Sequence, residues 1–366
     1  MSLIRLISIN LVILFILFFI IELASRVVWT VKSCYLNNCN FEKIKKLKVK
    51  EIIDDLNLGL AQIHPRLGYV PTPNFDANIN ILGWPNVRVT INKNGYRINN
   101  NNENISKEIL VVGDSFTFGD QVSNKETWPA CLEKELSKGV ANGGVFGYGA
   151  AQSLMRAEIE MKRHKYNTLI LSMVVEADFD RDTLDFRSGF PRPAVIKINE
   201  NLEWANPPDE MLIGTKFNPK KISKSVNLLK FLRSYSFIFS ALTDRLVNFG
   251  INIDWSGSRL NRVHKNAASV DEIIDWTLLR FSKIDIKHKF LLLQYGEDHI
   301  KDEFKLDRRS KVMNLISKLN LNYIDTLEVL KEKNKSIKLW NGHHTPEGNN
   351  IVCQLVSKEI NFSLKK

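Results

Sequence analysis

Ser115 stands in the stretch "ILVVGDSFTFG", where four apolar residues, Ile109 to Val112, run into Gly113, Asp114 and then the hydroxyl. A buried strand feeding a glycine turn and a helix start can cradle a phosphate on its backbone N–H groups. A phosphate loop, however, places Lys and Ser or Thr directly after its last glycine, and here Asp120 and Gln121 follow Gly119. Asp114 and Asp120 would repel an anion held there. The serine therefore reads as a nucleophile, and a serine hydroxyl needs a base because it is unreactive at its own pKa. The chain has seven histidines, and two of them, His343 and His344, share the turn "LWNGHHTPEGNN" before the apolar helical run "IVCQLVSKEI". A loop that feeds a helix after the last strand can bring an imidazole to the serine. The chemistry of such a pair is acyl transfer.

The elements that must position the pair begin near Lys107. Short apolar runs, "EILVVGD", "VANGGV", "NTLILSMVV", "KFLLLQY" and "NYIDT", alternate with stretches of helical period such as "WPACLEKEL" and "AAQSLMRAEIEMKRH". Continuous apolar runs are strands covered on both faces, and their alternation with helices predicts a three-layer α/β core around a mostly parallel sheet. In open parallel sheets, ligands bind beyond the carboxyl ends of the strands, which is where Ser115 falls. Residues 183–285 read as an insertion, with the amphipathic stretch "SVNLLKFLRSYSFIFSALTDRL" taken as core packing. Before the core, "HPRLGYVPTPNF" and "VRVTINKNGYRINNNN" read as extended or hairpin structure broken by Pro65, Pro71, Pro73 and Gly95. The expected organisation is 1–25, 26–106 and 107–366, the last carrying the insertion.

Of the 366 residues, 44% are hydrophobic and the net charge is +11. A basic surface attracts anions such as phospholipid headgroups or acidic glycan. No recognition helix, zinc spacing or basic and aromatic interleaving points to nucleic acid. Leu6 to Ile21 carries no charge, and only Glu22 is charged between Arg5 and Arg26. A helix there approaches the ~20 residues that cross a bilayer, so residues 1–25 are expected to be a transmembrane anchor. Glu22, Leu23, Ala24 and Ser25 make a poor cleavage site for a signal peptide. Lys32 and the run "KIKKLKVK", Lys43 to Lys50, favour a cytoplasmic body by the positive-inside rule, although long domains cross largely regardless of charge. Cys34 and Cys39 stand close enough to pair in an oxidising compartment, or to remain free thiols. Cys131 and Cys353 read as isolated core cysteines. No metal-ligand spacing joins the four, and neither a metal nor a cofactor is expected.

Three blocks, "GDSFTFG", "NGGVFGYGAAQ" and "GHHTPEGN", stand in the order and spacing of a known family. Over Glu108 to Val356, apart from the insertion, the chain resembles the SGNH, or GDSL-type, hydrolases, and "HPRLGYVPTPN" and "NKNGYR" resemble the extension of bacterial membrane-anchored members. That resemblance implies a flavodoxin-like sandwich and an esterase, lipase or carbohydrate O-acyl hydrolase or transferase. It makes Ser115 the nucleophile and gives the oxyanion hole the backbone N–H groups of Ser115 and Gly147. It makes His343, five residues before Gly348, the base in preference to His344. Asp114 would fix the turn. The implied location is the cytoplasmic membrane, single-pass, with the body facing the periplasm or exterior.

The chain departs from the family in two places. Ala177, in "VVEADFDRD", occupies the position of the asparagine whose amide is the third oxyanion donor. Loss of such a donor typically costs ~10²- to 10³-fold in turnover. The family's acid stands two or three residues before the histidine, where this chain has Asn341 or Trp340. An asparagine can orient an imidazole but cannot stabilise the imidazolium, a change worth ~10⁴-fold where geometry is kept. Asp178, Asp180, Asp182 and Asp298 are candidates for a substitute acid. The resemblance therefore leads to a membrane-anchored serine esterase or O-acyltransferase acting on an acylated glycan. Ala177 and Asn341 favour a rival, a weakened pseudoenzyme that binds glycan in the same cleft. A lipid esterase served by the basic run is a third possibility.

Overall fold

The computed structural model describes residues 59–79, 86–99, 106–187, 190–208, 261–301 and 306–364, together with 10, 17–24 and 27. The chain divides into two units, residues 1–54 with 217–260, and residues 55–216 with 261–366. In the first, residues 17–24 are helical, with Leu17, Phe18, Phe19, Ile20, Ile21 and Leu23 all about half exposed or more. Most of the span expected to cross a membrane lies outside the described residues, as do Cys34, Cys39 and the amphipathic stretch of the insertion. Among the described residues no helix is long and apolar enough to cross a bilayer.

The second unit opens with two antiparallel hairpins, β1 (Ala61–His64) with β2 (Gly68–Pro71) and β3 (Asp76–Ile79) with β4 (Val87–Thr90). The core sheet follows from the apolar runs: β5 (Lys107–Val112), β6 (Gly139–Asn142), β7 (Thr168–Val174), β13 (His288–Gln294) and β14 (Tyr323–Asp325). The strands between β7 and β13 belong to the insertion: β8 (Leu184–Arg187), β9 (Phe190–Pro191), β10 (Val195–Ile198), β11 (Asn201–Trp204) and β12 (Arg262–Val263). The core order is β14-β13-β7-β5-β6, and every pairing in it is parallel. Numbered by appearance, that is 2-1-3-4-5, the flavodoxin-like winding, whose direction reverses between β5 and β7. The loops after those two strands therefore part and leave a crevice. Ser115 begins one of them and Ala177 lies in the other.

The core strands are buried on both faces, and successive side chains alternate between the two as a two-residue period requires. Leu110, Val112, Leu169, Leu171 and Leu291 pack on one face with α3 (Ala150–Arg163) and α5 (Val270–Ser282). Ile109, Val111, Ile170, Phe290 and Leu292 pack on the other with α2 (Trp128–Leu136) and α9 (Pro346–Leu364). Burying each such side chain stabilises by roughly 1.5–3 kcal/mol, so the sheet tips rest on a rigid base. One-turn helices start at the crevice, α1 (Ser115–Phe118) after β5 and α4 (Asp178–Arg181) after β7. Glu297–Lys301 (α6), Asp307–Lys318 (α7) and Leu327–Lys333 (α8) complete the unit.

One expectation is corrected. Cys131 of α2 and Cys353 of α9 are not isolated thiols but a disulfide, closing a separation of 222 residues behind the sheet. The two helices lie side by side on one face, and each turns its cysteine into the seam.

Candidate active site

Asp114 sets the serine turn. Its Oδ1 accepts the Phe116 N–H at 2.9 Å and caps α1, satisfying one of the donors that a helix start leaves unpaired. Gly119 ends the turn at φ 88°, where a Cβ would meet the Thr127 methyl at 2.4 Å, so only glycine fits. Ser115 is thereby held at the sheet edge, 5% exposed.

His343 arrives from the far end of the chain. A tight hairpin, β15 (Trp340–Asn341) with β16 (His343–His344), turns at Gly342 just before α9. The Gln121 Oε1 accepts the His343 backbone N–H at 3.0 Å, and the ring lies against Phe116 with centroids 5.1 Å apart. His343 Nε2 stands 2.8 Å from Ser115 Oγ, within hydrogen-bond reach of the proton it would take. The neighbouring His344 is turned away, its Nε2 at 3.2 Å from the buried Gln294 Oε1.

Burial lowers the His343 pKa to about 4; Asp114 works against that shift and Arg181 adds to it. The ring is therefore neutral at pH 7 and able to accept a proton. Its Nδ1 is buried and makes no hydrogen bond among the described residues. Asn341 does not orient it: the residue is Cα-paired with His343 across the hairpin, but it is exposed and its amide does not reach the ring. None of the proposed substitute acids fills the place. Asp178 is bonded to Arg181 and the Val174 N–H, Asp180 to Arg308, and Asp182 to the Ala151 and Gln152 N–H groups at the start of α3; no hydrogen bond joins Asp298 to the ring. The carboxylate that does approach is Asp120, whose Oδ2 lies 3.7 Å from Nε2, on the serine side of the ring.

Gly147 adopts φ 74°, and its carbonyl accepts from Arg187 Nη1 at 3.0 Å and Arg192 Nη1 at 2.9 Å. Its N–H belongs to the Phe146–Gly147 peptide, whose carbonyl accepts the Tyr69 hydroxyl at 2.7 Å. A trans peptide points C=O and N–H in opposite directions, so fixing one end aims the other. Tyr69 comes from β2, and the Tyr148 hydroxyl donates back to its carbonyl. The N-terminal hairpin is thus a brace for this loop.

Ala177 precedes α4 and offers no side-chain donor. Arg181, four residues on, sends its Nη1 to Asp114 Oδ2 at 3.0 Å, Asp178 Oδ1 at 2.6 Å and the Tyr148 carbonyl at 2.9 Å. Burial alone would lower this guanidinium's pKa, but Asp178 and Asp114 more than offset it and hold it raised. Burial and the nearby Asp114 push the Asp178 carboxyl well up, against the pull of Arg181. Tyr69, Arg181, Arg187 and Arg192 are not singled out by the sequence, and Asp120 and Gln121 appear there only as residues that exclude a phosphate loop, not as neighbours of His343. Only Arg181 left a signal, one helical turn beyond the alanine that breaks the family pattern. Among the described residues no cluster of His, Cys, Asp or Glu could hold a metal ion.

No family model and no curated protein matches the chain. Solved structures similar to it include a lipolytic protein of the G-D-S-L family from Desulfitobacterium hafniense, at 13% identity over 69% of this chain and 98% of that one, TM-score 0.33. A lipase/acylhydrolase from Enterococcus faecalis matches at 12% identity over 69% and 95%, TM-score 0.37. An acetyl xylan esterase from Geobacillus stearothermophilus matches at 14% identity over 70% and 97%, TM-score 0.37. The three sequence blocks, carrying Ser115, Gly147 and His343, meet at the reversal point of a flavodoxin-like parallel sheet.

Proposed function

We propose that this chain is a serine esterase or O-acyltransferase. The observation that carries the reading is the 2.8 Å approach of His343 Nε2 to Ser115 Oγ, across 228 positions of sequence. Neutral His343 takes the hydroxyl proton as Oγ attacks the ester carbonyl carbon. The carbonyl electron pair moves onto oxygen, toward the Ser115 and Gly147 N–H groups. As the tetrahedral intermediate collapses, the leaving alkoxide takes the proton from His343, and Ser115 is left acylated. Water or a sugar hydroxyl then gives its proton to His343 and attacks the acyl carbon, and as this second intermediate collapses the departing Ser115 Oγ takes that proton back, which returns the free hydroxyl and the neutral ring.

Acylated glycan outside the cytoplasm is the substrate class we favour. The Cys131–Cys353 disulfide suits an oxidising compartment, and the exposed apolar side chains of residues 17–24 suit a lipid-embedded anchor. The test is to offer the detergent-solubilised full chain a chromogenic short-chain ester and a serine-reactive fluorophosphonate. Turnover and labelling that both vanish in Ser115→Ala are expected. No labelling, with glycan still bound, would establish the second reading, a glycan-binding pseudoenzyme. That reading draws on one observation, that His343 Nδ1 makes no hydrogen bond among the described residues.

A further inference from the structure

Ala177 offers no side-chain donor, yet a guanidinium lies at the junction of the two loops that carry the backbone donors. Arg181 Nη1 contacts Asp114, the residue before Ser115, and the carbonyl of Tyr148, the residue after Gly147. One nitrogen thus ties together the two loops whose N–H groups must receive the developing oxyanion. All three of its hydrogen bonds run through Nη1, and among the described residues its Nε and Nη2 make none. The side chain keeps 17% of its surface exposed, while the Asp114 and Asp178 carboxylates it holds keep 0% and 1%. Its charge is also felt at the His343 ring, which it makes harder to protonate. A cation fixed by two buried carboxylates needs little reorganisation when negative charge develops beside it.

We propose that Arg181 is a catalytic residue, supplying through Nη2 or Nε the third oxyanion donor that the chain lacks at Ala177. The proposal rests on the esterase reading above. Arg181 replaces a neutral amide by a charged donor, and charge-assisted hydrogen bonds are the stronger kind. It stands one helical turn after the alanine, and its side chain reaches the Asp114 carboxylate beside Ser115.

The experiment compares full-length wild type with Arg181→Lys, Arg181→Gln and the double variant Asp178→Asn/Arg181→Gln. The double variant removes one of the two carboxylates that a lost guanidinium would strand, so it stays measurable if the single variant fails to fold. Each is assayed for kcat and KM on a chromogenic ester and for inhibition by an alkylboronic acid, whose serine adduct is a tetrahedral anion. For the glutamine variants we expect kcat to fall by ~10²- to 10³-fold with KM within about threefold, and the boronate inhibition constant to rise by a similar factor. The lysine variant should recover part of both. A folded variant with unchanged kcat would overturn the proposal. So would a kcat loss with boronate inhibition unchanged, which would make Arg181 a brace for Asp114. A wild type that neither turns over ester nor takes label at Ser115 would instead sink the esterase reading, and this proposal with it.

Discussion

The two halves of the serine–histidine pair are built to different standards. Around Ser115, Asp114 caps the turn, Arg181 clamps Asp114 to the Tyr148 carbonyl, and Tyr69 fixes the peptide carrying the Gly147 N–H. Around His343 the ring has Ser115 on one nitrogen, no hydrogen-bond partner among the described residues on the other, and an exposed Asn341 across the hairpin. The difference separates two ways of lowering one barrier. The side where negative charge develops is preorganised, whereas the base is placed but not strengthened. On the esterase reading, catalysis would rest on geometry and the oxyanion hole more than on stabilising the imidazolium.

That contrast fixes the order of the largest effects. Ser115→Ala removes the covalent route, and ester turnover should fall by ~10⁴-fold or more. His343→Gln removes a base that lacks an acid behind it, so its loss should sit within the ~10²- to 10⁴-fold range of general base catalysis and below that of the serine. Steady-state kcat for both variants decides it. Equal losses would mean that the imidazole is as strongly supported as the hydroxyl, and the contrast would be wrong. Tyr69→Phe keeps the ring and drops one hydrogen bond to the Phe146 carbonyl. It should lower kcat about tenfold and leave KM nearly unchanged, since a net hydrogen bond is worth ~1 kcal/mol and this one aims a donor used in the transition state.

The pH profile tests the base directly. The competent form is the neutral ring, and burial lowers its pKa from 6.5 to about 4. Log kcat/KM should therefore be flat from neutral pH downward and fall only as pH drops through about 4, where the ring protonates. A limb near 6.5 would show that an acid on Nδ1 or bulk water restores the ordinary value.

What the sequence made legible follows from range. The strands β5, β7 and β13 announce themselves because a strand buried on both faces is a continuous apolar run, and Ser115 because a glycine turn follows one of them. His343 could be paired with it only through the resemblance, which supplied the distance that local pattern cannot. Arg181 and Tyr69 were hidden, and Asp120 could not be placed beside His343, for the same reason: their contacts join segments from 67 to 223 residues apart. The disulfide was hidden too, since α2 and α9 become neighbours only once the sheet is closed. Asn341 was misjudged because position two before a histidine says nothing of the hairpin that exposes it.

The same long closure supplies a control. Cys131→Ser/Cys353→Ser removes a link across 222 residues behind the sheet. It should lower stability by ~2–5 kcal/mol, read as a shifted denaturation midpoint, with kcat within about twofold. A large activity loss in the folded protein would couple the seam to the crevice.

The smallest expected effect is the sharpest. Asn341→Asp restores an acid to the position where the family carries one, and if the missing carboxylate alone weakened the base, turnover should rise by orders of magnitude. The hairpin argues otherwise. Asn341 is exposed and its amide does not reach the ring, so an aspartate there would sit in water and interact with the imidazolium as surface ion pairs do, by ~0.2–1 kcal/mol. That corresponds to a gain of less than about fivefold in kcat, and one that added salt erodes by screening. A gain of a hundredfold, insensitive to salt, would mean that the hairpin closes over the ring during turnover and that the histidine side is as well built as the serine side.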